Sequence, residues 1–173
     1  MTLPDYSHLE AGTKITWASS GGDKTLTLTS LANDAAREGD KSDSLIDGTK
    51  GLPELLEILF ETAVNATATD GKTVELYIGE SDNATAGTDN PGNLTGADAA
   101  LSNPDELKRQ LYYAGALVLS NARTTNVQKQ RFVYFPTCAY VVPLVVNKSG
   151  QTLHATAGNH SLEITPYYRK LID

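Results

Sequence analysis

Gln128-Lys129-Gln130-Arg131-Phe132-Val133-Tyr134, Ala139-Tyr140-Val141-Val142-Pro143-Leu144-Val145-Val146-Asn147 and Ser161-Leu162-Glu163-Ile164-Thr165-Pro166-Tyr167 are three short runs near the end of the chain, rich in β-branched and aromatic residues. Turn-forming stretches around Pro136 and Gly150 separate them. Short strands at this spacing, with turn chemistry between them, predict an all-β sandwich or barrel. No catalytic constellation stands beside them. A β-sandwich without visible chemistry is expected to bind or assemble rather than to catalyse.

Working outward, Tyr112–Ser120 reads as a further strand. A short helix should precede it: Asn103 can cap, Pro104 suits the first helical position, and Asp105 and Glu106 favour the positive end of the dipole. That helix should end near Leu111. Gly79–Ala100 is polar and glycine-containing with Leu94 as its one large apolar residue, which predicts a long loop. Two readings of it stay open, a protruding contact loop and a solvent-covered insertion. Thr73–Ile78 alternates as a strand after an Asp70-Gly71 turn. Pro53–Val64 is ambiguous. Leu55, Leu56, Leu59, Phe60 and Ala63 would share a helical face behind Pro53, but Leu56, Ile58, Phe60, Thr62 and Val64 also alternate, with Glu57 and Glu61 opposite. The strand neighbours favour a strand over Glu54–Thr62.

Lys14–Ala18 and Lys24–Ser30 also alternate, with Leu26 and Leu28 on one side and threonines on the other, and a hairpin is expected around Ser19–Asp23. Leu31–Glu38 fits one or two helical turns capped by Ser30, or a continued strand after a bulge. Trp17 is expected in the core. Met1–Gly12 reads as an extended arm that docks on a partner, and Arg169–Asp173 as a tail. About eight strands result. The expected fold is an all-β, jelly-roll-like β-sandwich with one short helix and a long loop, as a single domain over residues 14–173 behind an arm over residues 1–13.

The length of 173 residues suits one domain with a real core. A net charge of -7 argues against nucleic-acid binding, which needs clustered cations, and the Lys129 with Arg131 cluster on an expected strand is too small to make a phosphate track. Asp34, Glu38, Asp40, Asp43 and Asp47 form an acidic run that reads as a solvated segment. Met1–Asp5 lacks the basic and apolar regions of a signal peptide, and no apolar run has the length of a membrane span. A soluble protein made in a cytoplasm is expected. Asn65, Asn83, Asn93, Asn147 and Asn159 stand in Asn-x-Ser/Thr triplets, where turn chemistry explains asparagine better than glycosylation does.

Each chemical candidate competes with a plainer role. Cys138, the single cysteine, excludes an internal disulfide and lacks an assignable base, so a small packed residue is expected. His8, His154 and His160 are the only histidines. His154 and His160 could face each other across a turn, but no third metal ligand is evident. Asp82, Asn83, Asp89 and Asn90 offer oxygens for calcium at a spacing unlike an EF-hand. Glu57, Glu61 and Glu75 could line one sheet face as glycosidase carboxylates do, yet exposed strand positions account for them. No phosphate loop or nucleophile elbow occurs. No catalytic, cofactor-binding or metal residue is therefore assigned, and no cofactor is expected.

Several stretches resemble a family of small structural proteins of tailed bacteriophages. They are Leu26-Thr27-Leu28-Thr29-Ser30-Leu31-Ala32, Thr73-Val74-Glu75-Leu76-Tyr77, Thr85-Ala86-Gly87-Thr88-Asp89-Asn90-Pro91-Gly92, and Val145-Val146-Asn147-Lys148-Ser149-Gly150-Gln151-Thr152-Leu153-His154. None of these motifs is catalytic. The resemblance implies a virion protein, a decoration or cement protein of the capsid exterior. Its implied partner is the major capsid protein or another virion protein, and a homo-oligomer, guessed as a trimer, is implied with it. A tail or baseplate component and a carbohydrate-binding jelly-roll are the alternatives.

Overall fold

A computed structural model describes residues 8–102, 104–121 and 127–170. Eleven strands form two sheets: β1 (His8–Ala11), β2 (Ile15–Ala18), β3 (Lys24–Thr25), β4 (Ala36–Glu38), β5 (Leu55–Thr62), β6 (Thr73–Ser81), β7 (Ala99–Leu101), β8 (Tyr112–Val118), β9 (Gln128–Tyr134), β10 (Tyr140–Lys148) and β11 (Ser161–Lys170). The first sheet runs β3-β2-β11-β5-β9, with β1 also on β11, and the second runs β7-β4-β10-β6-β8. With the short strands β1, β3 and β7 set aside, the other eight, renumbered in chain order, read 1-8-3-6 and 2-7-4-5. That order is two interlocked Greek keys, a jelly roll.

The first sheet shows why its sequence alternates. Leu56, Ile58 and Phe60 of β5 are fully buried in the central core, while Leu55, Glu57, Leu59 and Glu61 lie on the outer face. Leu162 and Ile164 of β11 add to the same core, with Ile15 and Trp17 of β2. Burying these side chains is the main stabilising term, at about 1.5–3 kcal/mol each for Leu, Ile or Phe.

In the second sheet β10 is buried on both faces, so it reads as a continuous apolar run. Val141 and Val145 face the central core, whereas Val142, Leu144 and Val146 pack outward with Ala36, Leu94 and Leu111. The segment between β6 and β8 supplies that outer cover. The long loop is thus shorter than expected, because β6 extends to Ser81 and β7 begins at Ala99; residues 84–89 are exposed, while Leu94 ties the loop to the sheet. Its anchor, Leu94, is the one large apolar residue that stood out in the sequence. The short helix forms as Pro104–Leu107, continues as a 3-10 turn over Lys108–Gln110 and stops before Leu111. The expected cap Asn103 lies outside the described residues.

Pro143 is tolerated in a central strand because β4 ends opposite Leu144, and the Pro143 carbonyl still accepts the N–H of Gly39 at 2.9 Å. At the other edge, β8 carries a bulge opposite Leu76/Tyr77. Gly115 there has φ 155, and a side chain on it would overlap the Phe132 ring. Phe132 thereby closes the gap between the edge strands β8 and β9 of the two sheets.

Three expectations are corrected. Lys24–Ser30 is not a hairpin strand: only Lys24–Thr25 pairs, in parallel, with β2. Leu26 and Leu28 remain buried as the alternation requires, but Thr25 and Thr27 donate their N–H groups to Asp40 and Asp98 instead of to a strand. Leu31–Glu38 is neither helix nor continuous strand. Ser30 and Asp34 take positive φ in turns before β4 begins at Ala36. Of the expected arm, residues 8–11 form β1, paired with β11 from His8↔Lys170 to Ala11↔Tyr167, and residues 1–7 lie outside the described residues.

Candidate functional site

The oxygen-rich loop does enclose a cation, but the cation is the ammonium of Lys41. Its Nζ donates to Ser81 Oγ at 3.0 Å and to the carbonyls of Asn83, Thr85 and Thr88 at 2.9, 2.8 and 2.9 Å. Lys41 is buried. Burial pulls its pKa below that of a free lysine, and the nearby Asp89 opposes the shift. The cage suits the charged form, because an ammonium brings three donors to these oxygens. The calcium candidates Asp82 and Asn83 serve the fold: Asp82 accepts the Ala139 N–H at 3.0 Å and Asn83 Oδ1 accepts the Thr85 N–H at 2.8 Å. Asn90 donates to the Ala86 and Leu94 carbonyls.

The acidic run likewise departs from the solvated segment expected of it. Asp40 accepts the Thr25 N–H and the Asp98 N–H, each at 2.9 Å, and its carbonyl accepts Trp17 Nε1 at 2.7 Å. One residue therefore ties β2, β3 and the covering segment together. Glu38 is fully buried and accepts from the backbone and hydroxyl of Thr95; burial pushes its carboxyl pKa up, against those hydrogen bonds. Asp98 forms a two-point ion pair with Arg37. Asp34 pairs with Lys148, Asp43 with Lys24, and Asp47 closes a turn by accepting the Thr49 N–H. Lys41, Glu38 and Asp40 carry the structure here, and only the nearness of Lys41 to so many acids hinted at it in the sequence.

His154 and His160 do meet across their turn, through the backbone. His160 Nε2 bonds the His154 carbonyl at 2.7 Å and its Nδ1 bonds Thr62 Oγ1 at 2.8 Å, so Nε2 carries the proton and Nδ1 accepts from the hydroxyl. His154 Nδ1 instead meets the Thr156 N–H and the Asn159 side-chain amide. Burial lowers the pKa of His160. As pH falls, an unfolded chain takes up this proton near the ordinary histidine value of 6.5, before the folded chain does. Stability is therefore expected to be full above about pH 6.5 and to fall below it, by up to about 1.4 kcal/mol per pH unit for this one group. Denaturant melts of wild type and His160→Gln between pH 5 and pH 8 check this; equal slopes in both would show that His160 is not the responsible group.

The three candidate carboxylates do not converge. Glu57 and Glu61 lie on the outer face of the first sheet, paired with Arg131 and Lys129, and Glu75 lies on the second sheet, paired with Lys108. The Lys129 and Arg131 pair of the sequence is thereby neutralised. Cys138 is partly buried, and burial raises its thiol pKa. His8 is an exposed residue of β1. Among the triplet asparagines, Asn147 is fully buried and donates to the carbonyls of Leu31 and Gln151. Among the described residues no three His, Cys, Asp or Glu side chains gather as for a metal ion, and no helix is long and apolar enough to cross a membrane.

What remains is a surface. Strand registers place the C-terminal ends of β9 and β11 and the N-terminal ends of β8 and β10 at one end of the sandwich. Among the described residues, six of the seven exposed large hydrophobic residues lie there: Leu9, Ile46, Tyr112, Tyr113, Val133 and Phe135. Tyr112 packs on Tyr134 with ring centroids 6.0 Å apart, beside Phe135. The Leu45 N–H bonds the Ala139 carbonyl at 2.7 Å and brings the Ile46 loop to the same end. An open cleft of about 570 Å³ sits next to it, lined by Gly12, Ile15, Leu45, Ile46, Pro166 and Tyr168 among others. Thr62, Gln128 and His160 lie at the opposite end, and among the described residues Val118 is its one exposed large hydrophobic residue. No protein-family model matches this sequence, and no curated protein matches it.

Proposed function

We propose that this chain is a non-enzymatic structural protein of a virus particle, one that binds the outer surface of a bacteriophage head and stabilises it. The observation that carries this proposal is the one-sided surface: among the described residues all exposed large apolar side chains but Val118 collect at one end, while the described candidates for chemistry are spent on internal hydrogen bonds or surface ion pairs. Contiguous exposed apolar patches mark interaction sites. The jelly roll is used by viral capsid and lectin domains alike, so the fold by itself supports an assembly role only by analogy. The likeness to phage structural proteins favours the virion. Its partner there is the major capsid protein or another virion protein, and it acts as a symmetric homo-oligomer, taken to be a trimer. The net charge of -7 suits a protein that leaves the packaged genome alone.

A carbohydrate-binding role has weaker support. Tyr168, the aromatic residue of the cleft, is buried with its hydroxyl bonded to the Leu45 carbonyl at 2.7 Å, so its ring is not a stacking platform. Cryo-electron microscopy of purified particles is the test. Many symmetric copies over the head are expected. A ring of copies at the tail would move the protein to the tail or baseplate, and particles lacking the chain would overturn the proposal.

A further inference from the structure

An apolar row crosses the outer face of the first sheet where that face meets the apolar end. Residues directly opposite each other on paired strands share a face of the sheet. Ala11 of β1 stands opposite Tyr167 of β11, and Tyr167 stands opposite Leu55 of β5. Leu56 stands opposite Tyr134, so Phe135, one step beyond β9, comes level with Leu55. The row therefore runs Ala11, Tyr167, Leu55, Phe135, and Leu9 and Val133 lie two residues from its ends on the same face. Leu9, Val133 and Phe135 are exposed, Phe135 at 68%.

The chain that precedes β1 joins the sandwich beside this row. His8 is paired with Lys170, so residues 1–7 connect at the C-terminal end of β11. They read Met1-Thr2-Leu3-Pro4-Asp5-Tyr6-Ser7, mostly apolar, with Asp5 as the one charged side chain. Their length suffices to reach across. From His8 the row lies about 10 Å back along β1, and Phe135 lies about 14 Å across the strands β11, β5 and β9, a diagonal of about 17 Å. Extended, residues 1–7 span about 23 Å, which leaves length for a turn back.

The tether also decides which occupant wins. A segment attached this close meets the row at an effective concentration of about millimolar, above that of any second copy in dilute solution. A highly charged segment would lose hydration on such a row, and this one has little charge to lose. We infer that residues 1–7 fold back in their own chain over the outer face of the first sheet and seat Leu3 and Tyr6 against Leu55, Tyr167 and Phe135. This goes beyond the virion role and does not rest on it. Ile46, Tyr112 and Tyr113, on the Ile46 loop and the second sheet, stay outside the cover and open to a partner.

Nuclear Overhauser spectroscopy of the full chain over a dilution series tests it. Cross-peaks from Leu3 or Tyr6 to the Phe135 ring and the Leu55 methyls are expected, and they should persist on dilution. Removing residues 2–7 should shift the signals of Leu55, Phe135 and Tyr167 and leave those of Val118, at the opposite end, in place. A chain carrying Leu3→Ser and Tyr6→Ser gives the same readout should the shortened chain not fold. Absence of the cross-peaks, or Phe135 and Leu55 signals indifferent to both changes, overturns the inference. Cross-peaks that arise between labelled and unlabelled copies in a mixed sample overturn it too, because they give the row to the segment of a second copy.

Discussion

Replacing Trp17 with alanine is expected to remove about 4 kcal/mol of stability, a large part of what a domain of this size has. The indole is fully buried and is the largest side chain of the core. It is also a crosslink, because its Nε1 donates to the Asp40 carbonyl at 2.7 Å. Alanine leaves a cavity and an acceptor without its donor, each with its own cost. Asp40 in turn receives the N–H groups of Thr25 and Asp98, so loosening it frees β3 and the segment that covers the second sheet. A melting temperature lower by about 10 °C or more is the expected readout. Trp17→Phe keeps most of the volume and loses only the donor, and about 1–3 kcal/mol should separate it from wild type. A Trp17→Ala protein that melts like wild type would mean that the site collapses around alanine and that Asp40 finds another donor.

Lys41→Met is expected to cost about 3–5 kcal/mol, the range for removing one partner of a buried charged arrangement. Methionine is close in length and apolar, so volume is nearly kept while three carbonyls and a hydroxyl lose the charge that gathers them. The damage should be local at first. Hydrogen exchange should rise in residues 82–98 before it rises in β5 or β11, because the loop is held by Lys41, Asp40 and Glu38, while the central strands are held by the core. Uniform exchange in the variant would show that the cage does not hold the loop separately. Calcium should not substitute for the wild-type ammonium, since Lys41 already occupies the oxygens.

The long strands were legible because their burial is one-dimensional. In β5 one face meets the core and the other meets water, so Leu56, Ile58 and Phe60 alternate with Glu57, Leu59 and Glu61 and favour strand over helix. Strand β10 was legible as a strand from its apolar run, but the run could not say what covers its second face. That cover is Leu94, from a segment whose composition is that of an exposed loop, with Leu111 from the end of the short helix. Short strands were not legible. Lys24–Ser30 alternates as cleanly as β5, yet most of it leaves the ladder because carboxylates 15 and 71 positions away take its N–H groups. The acidic run misled for the same reason: an aspartate that bonds distant backbone amides has the same local sequence as one in water.

Local sequence sufficed for the class of fold, for the placement of seven of the eight jelly-roll strands, all but β4, to within a few residues, and for the burial of Trp17. These follow from local periodicity, turn chemistry and composition, which act over a few residues. Only the tertiary structure decided that the calcium-like loop encloses Lys41, that Glu38 and Asp40 are internal struts, and that Ile46, Tyr112 and Phe135 share one end beside a cleft. Each of those depends on segments far apart in the chain being brought together by the jelly-roll crossings, and no pattern within any one segment records which distant partner it will meet.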